Sequence, residues 1–219
     1  MMTSELPRRI DLFEEAPITL ETFARSIETV GSMSKYATCL GFHSVLELAA
    51  FLEGKTVLDI SSGYDGLAIE IILNGINCNL IANNPGRRKR SFPRDRWKNI
   101  YHDDDFQNYP SDLIGKAAQL VDITATSHYG QSLPFGSNSF DVVLDVNGLF
   151  YYAQSEEVSQ LYKAALQMYR VTRPGGHILV GDRFFFEDEG RNPLWKKELI
   201  EELNIPYYPL PLDKLGYKH

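Results

Sequence analysis

A chain of 219 residues can bury one sizeable α/β core but not two comfortable ones. Its 43% hydrophobic and 23% charged residues are those of an ordinary soluble globular protein, and a net charge of −7 argues against general nucleic-acid binding, which usually needs a basic face. No signal-like leader opens it and no apolar run reaches membrane-spanning length. Cys39 and Cys78 build no disulfide framework, so a cytoplasmic, reducing setting without a membrane role is expected.

Residues 1–17 are polar, acidic and punctuated by proline, and read as a loose arm. Thr19 can cap a helix on which Leu20, Phe23, Ile27 and Val30 recur at helical spacing. Gly31-Ser32 breaks it, and Ser32 to Lys35 reads as a loop. A second helix follows, capped by Ser44, with Val45, Leu48, Ala49 and Leu52 on one face and Gly54 at its end. Residues 1–53 thus form an arm and a helical lid, and 54–219 the main α/β domain, within one domain overall. A sheet-edge cover is the plainer reading of the two helices. Lys35 and Tyr36, in the polar break between them, favour a lid, and Tyr36 joins the candidate cofactor contacts.

The apolar run Thr56 to Ile60 predicts a strand, and Gly66 to Asn74 a helix closed by Gly75. Between them lies Ser61-Ser62-Gly63-Tyr64-Asp65-Gly66, a small-residue turn at a helix N-terminus, where an anionic or carboxylate group is favoured. A second strand, Asn79 to Ala82, ends at Asn83. In a nucleotide-binding βαβ unit an acid there usually holds ribose hydroxyls, and an amide lacks its charge. Arg87 to Lys98 is strongly basic and Asp103-Asp104-Asp105 follows at once. Two offsetting, solvated charge blocks are expected in preference to an anion site. No metal site is expected, because His102 and three adjacent aspartates cannot easily converge on one ion.

Ser111 to Lys116 predicts a short helix, and Ala117 to Ile123 a third strand ending at Asp122. Phe140 to Val146 is a buried-type strand, Ser155 opens a helix to about Tyr169, and Arg173-Pro174-Gly175-Gly176 is a turn feeding a strand from His177 to Gly181. A last helix over 193–203 and an extended tail over 205–212 complete the pattern. Strands alternating with helices call for a doubly wound, mainly parallel sheet, with ligands outside the carboxyl ends of the strands.

Three stretches together resemble the class I S-adenosylmethionine-dependent methyltransferases of the small-molecule type, which have a Rossmann-like fold. They are Val57 to Ala68, the Leu133-Pro134-Phe135 segment running to Phe140-Asp141-Val142-Val143, and Arg170-Val171-Thr172-Arg173-Pro174-Gly175-Gly176. The resemblance implies methyl transfer to a small molecule, with S-adenosyl-L-methionine as cofactor. It places Asp59, Ser61, Gly63 and Gly66 along the methionine part of the cofactor, and Asn83 at the ribose. Asp122 and Ile123 fall near the adenine, and Asp145 and Val146 beside the sulfonium. Ser61 and Asp65 stand where the family has glycines, and the gap from Asp122 to Leu133 is long. The chain also leaves little room for the antiparallel pair that usually closes the sheet, so that edge is expected to be truncated or completed by a second copy or a partner chain.

Proton acceptors near the cleft are Tyr151, Tyr152, His128 and Asp145, each of which could equally be a packing or surface residue. Two other functions compete. A non-catalytic binding or scaffold subunit of the same fold accounts for the altered loop and Asn83. An NADP-type oxidoreductase accounts for Ser61-x-Gly63-x-x-Gly66, an uncharged residue 83 and the nearby arginines, but leaves Leu133-Pro134-Phe135 and Pro174-Gly175-Gly176 without a role.

Overall fold

A computed structural model of the chain describes residues 31–88, 95–146, 148 and 158–181. The expected helix from Thr19, the helix over 193–203 and the tail over 205–212 lie outside them. The described chain opens on α1 (Met33–Cys39), where a loop was expected. The Ser32 side chain accepts a hydrogen bond from the Lys35 amide and caps it. Met33, Tyr36, Ala37 and Leu40, spaced i, i+3, i+4, i+7, are all buried. Helix α2 (Val45–Leu52) is capped by Ser44, whose hydroxyl accepts from the Glu47 amide at 3.2 Å.

Strand β1 (Thr56–Asp59), helix α3 (Gly66–Leu73) and strand β2 (Asn79–Ala82) form the first βαβ unit. Then come α4 (Trp97–Tyr101), α5 (Ser111–Thr124), β3 (Phe140–Val146), α6 (Val158–Val171) and β4 (Thr172–Gly181). The sheet order is β2-β1-β3-β4, and every pairing is parallel. A parallel bridge from Asn83 to Thr126 continues the sheet beyond β2. The chain therefore winds outward through β2 and returns to the other side of β1. The strand order reverses between β1 and β3, where doubly wound sheets open a crevice.

Alternation along the strands sorts the core into two faces. Val57, Val142, Leu144 and Leu179 face α1, α2 and the Leu67–Ile71 side of α3. Leu58, Val143, Ile178 and Val180 face Leu161, Ala164, Ala165 and Met168 of α6. The outer side of α3 packs Ala68 and Ile69 on Ile114, Ala117, Ala118 and Val121 of α5.

Two expected elements are corrected. Residues 117–123 are not a strand but the second half of α5. Ile114, Ala117, Ala118 and Val121 are buried at helical spacing, while Leu120 and Ile123 face outward. The turn at Arg173 to Gly176 lies inside β4: the register runs from Phe140 opposite Thr172 to Val142 opposite His177, so the extra residues are looped out as an irregularity of the ladder. Gly175 sits there at φ 77°, and a Cβ on Gly176 would stand 2.7 Å from the Asp141 carbonyl. Glycine takes the first at little cost, and the second leaves no room for a side chain.

Candidate active site

Two carboxylates mark the crevice. Asp59 ends β1 and Asp145 lies near the end of β3; both are about 1% exposed. Burial pushes Asp59 up from 3.8 to about 7, against the opposing pull of hydrogen bonds from the Tyr36 hydroxyl and the Ser61 amide. The Tyr36 hydroxyl donates to Asp59 Oδ2 at 2.5 Å, and burial, then the charge of Asp59, holds the phenol well above its usual range. Gly148 closes the gap between the strands. A Cβ there would overlap Asp145 Oδ1 and the Ser61 side chain. The backbone at Gly148 is thus pressed against Ser61 in the loop after β1.

Helix α1 lies over these groups. The backbone of Gly31 sits against Gly66, whose Cβ, were there one, would be 2.7 Å from the Gly31 carbonyl oxygen. The Met33 amide donates to Glu70 Oε2 at 2.6 Å, and Lys35 Nζ pairs with Asp103 at 2.5 Å. The Ser32 hydroxyl bonds the Asp105 carboxylate. The acidic block Asp103 to Asp105 is therefore partly engaged in holding α1. A cavity of about 290 Å³ lies on the outer side of α1, lined by Ser34, Lys35, Thr38 and Asp103 to Asp105. Tyr36 projects the opposite way, toward Asp59.

The loop Ser61 to Gly66 carries left-handed backbone at Gly63, φ 53°, and at Asp65, φ 68°. The Ser62 hydroxyl donates to Asp65 Oδ1 at 2.7 Å, and the Asn84 side-chain amide donates to the Gly63 carbonyl at 2.6 Å. Asp65 is fully buried and ion-paired with Arg96 Nε at 2.7 Å and with Arg87. Both guanidiniums also reach Asp122, at 2.9 and 3.0 Å. Burial works against the charge on Arg96, but Asp65 and Asp122 outweigh it and its pKa is raised. The expectation of solvated, mutually offsetting blocks fails here, because Arg96 is 2% exposed.

Asn83 is fully buried and its amide is saturated. Nδ2 donates to the Ile60 carbonyl at 3.0 Å and the His128 carbonyl at 2.9 Å. Oδ1 accepts from the Thr126 hydroxyl and the His128 amide, both at 2.9 Å. A primary amide makes four such bonds at most, so Asn83 clamps the 126–128 segment to the sheet and keeps no capacity for a ribose. Asp122 and Ile123 ride the last turn of α5. Asp122 serves Arg87 and Arg96, and Ile123 is 77% exposed, so neither stands at a strand end as an adenine contact would. His128 is half-buried on the clamped segment. Val146 is buried in the α1 face of the core. Tyr151 and Tyr152 lie outside the described residues.

The donor set fits S-adenosylmethionine at one end. Its cationic methionine part matches two buried carboxylates beside a tight loop, whereas nothing in the Asn83 side chain is left for its sugar.

Residues 105–180 match the family model described as Methyltransferase domain. That part of the chain carries the methyltransferase-domain pattern. No curated protein matches the chain. Among solved structures, a Thermotoga maritima protein described as an S-adenosylmethionine-dependent methyltransferase is 15% identical over 78% of this chain and 60% of its own, with TM-score 0.38. The MccD protein is 15% identical over 78% and 67%, with TM-score 0.44. Geranyl diphosphate methyltransferase, in complex with GPP and sinefungin, is 14% identical over 88% and 71%, with TM-score 0.39. The chain spans about 60% of the length of the first of these. These likenesses are loose, and the doubly wound parallel α/β architecture is read from the chain's own strand order. Among the described residues no helix is long and apolar enough to cross a membrane.

Proposed function

We propose that the chain is an S-adenosylmethionine-dependent methyltransferase acting on a small molecule. The observation that carries the reading is the pair of buried carboxylates, Asp59 and Asp145, on adjacent parallel strands where the order reverses. The bound donor supplies an electrophilic methyl group on a sulfonium. Asp59 and Asp145 attract and orient the cationic end. Gly148 and Ser61 set how closely the two loops approach it, and Tyr36 on α1 excludes water. Methyl transfer is a displacement, for which holding reactants in line can supply roughly 7–11 kcal/mol. His128 or the tyrosines at 151 and 152 take a proton where the acceptor must lose one.

A specific observation favours a second reading, a binding or scaffold subunit of the same fold: the saturated amide of Asn83. The oxidoreductase reading loses support, since Arg87 and Arg96 are engaged by Asp65 and Asp122.

Thermal melting with S-adenosylmethionine, S-adenosylhomocysteine and NADPH tests the proposal. At a hundred times its Kd a ligand stabilises by about 2.7 kcal/mol, a rise of roughly 5–10 °C for a protein of this size. A rise with the two sulfur nucleosides is expected. A rise with NADPH alone sinks the proposal, and no rise with any of them favours the scaffold.

A further inference from the structure

Four separate parts of the chain meet at Asp65. It is the N-cap of α3, in left-handed backbone at φ 68° and ψ 24°, yet its carboxylate makes no capping hydrogen bond to the helix. Oδ1 accepts from the Ser62 hydroxyl and Oδ2 takes Arg96 and Arg87. Arg87 follows β2, Arg96 precedes α4, and Asp122, which binds both, ends α5. The Ser62 amide donates to the Asn83 carbonyl at 3.1 Å and the Asp65 amide to the Ser62 carbonyl at 2.7 Å, so the same loop is also bound to the end of β2.

We infer that Asp65 is the positioning residue of the cofactor loop: its buried ion-pair cluster with Arg87, Arg96 and Asp122 holds Ser61 to Gly66 in the shape that glycine would otherwise merely permit. The inference rests on the methyltransferase reading for what the loop binds, but not for how the loop is held. Glycine leaves a left-handed turn accessible among many conformations. An aspartate there carries a steric cost and must be over-determined by its surroundings, and two guanidiniums and a hydroxyl supply that determination. The departure from a glycine-rich loop is then a change in how the loop is fixed. Removing Asp65 takes from two buried guanidiniums a fully buried counter-charge that the half-exposed Asp122 replaces poorly.

The test compares wild-type protein with Asp65→Gly and with Asp65→Asn, which keeps a residue tolerant of left-handed backbone but removes the charge. Amide hydrogen exchange is followed in ligand-free protein well below the melting temperature, and the Kd for S-adenosylhomocysteine is measured by calorimetry. Asp65→Gly is expected to speed exchange at residues 62–67 at least tenfold, with the β3 amides of residues 142–146 unchanged, and to weaken S-adenosylhomocysteine at least tenfold. Asp65→Asn, the variant to rely on if glycine prevents folding, shifts both in the same direction. Unchanged loop exchange, exchange that rises uniformly through the sheet, or tighter binding by Asp65→Gly overturns the inference. If wild-type protein does not bind S-adenosylhomocysteine, the methyltransferase reading fails, and loop exchange alone still decides the role of Asp65.

Discussion

Asp59 links the site to pH. Its folded value, about 7, lies above the ordinary 3.8, because burial disfavours the charged form. Between those values the folded chain binds a proton that the unfolded chain has released. Stability from this group is therefore full below about pH 4 and is lost as pH rises to about 7. Glu70, also raised by burial, acts in the same direction. Asp59→Asn should flatten this part of the profile in urea titrations at several pH values. The Tyr36 hydroxyl opposes the rise, so Tyr36→Phe should move the Asp59 carboxyl titration, followed by NMR, further up. A cationic ligand prefers ionised Asp59, so its affinity should fall as pH drops below about 7. Asn83 gives a sharper expectation. Asn83→Asp places at the end of β2 the acid usual in nucleotide-binding βαβ units, but aims a buried carboxylate at the carbonyls of Ile60 and His128. It should cost about 3 kcal/mol or more in denaturant melts and bring no gain in cofactor affinity.

At the level of elements, Ser32→Ala removes the cap of α1 and the bond to Asp105, and should lower stability by about 1 kcal/mol in the same melts. Leu120→Lys, on the exposed face of α5, should stay within about 0.5 kcal/mol of wild type. That face also gives residues 117–123 the look of a strand. Ala117-Ala118-Gln119-Leu120-Val121-Asp122-Ile123 is as apolar as a strand, and short apolar runs do not fix their own period. Only the burial of Ile114, Ala117, Ala118 and Val121 against α3 decides it. Helix α1 carried a legible signal, a serine cap followed by Met33, Tyr36, Ala37 and Leu40, that the Gly31-Ser32 break concealed. Strands β1 and β3 were readable because they are largely buried on both sides and bounded by turns. The ion pairs at Asp65 were not, since charges at positions 65, 87, 96 and 122 announce no partnership until the sheet brings their elements together.

Among the described residues, four parallel strands are covered on both faces, and their centre is where substitutions should cost most. Leu58→Ala or Met168→Ala opens a void between the sheet and α6 and should destabilise by about 2–5 kcal/mol, read as a shift of the urea midpoint. One contact couples the two ends of the described chain. Gly181, at the end of β4, lies so close to the end of α1 that a Cβ would come within 2.7 Å of the Cys39 carbonyl oxygen and 2.9 Å of the Leu40 side chain. Helix α1 leaves the ribosome early, yet its seat is finished only when β4 has been made and has joined β3. A contact of such sequence separation is slow to form and late to be rewarded. During synthesis the seat of α1 over the crevice therefore stays unfinished until β4 exists. A nascent chain arrested before β4 should be cut by protease around α1, whereas the released protein should resist at the same bonds.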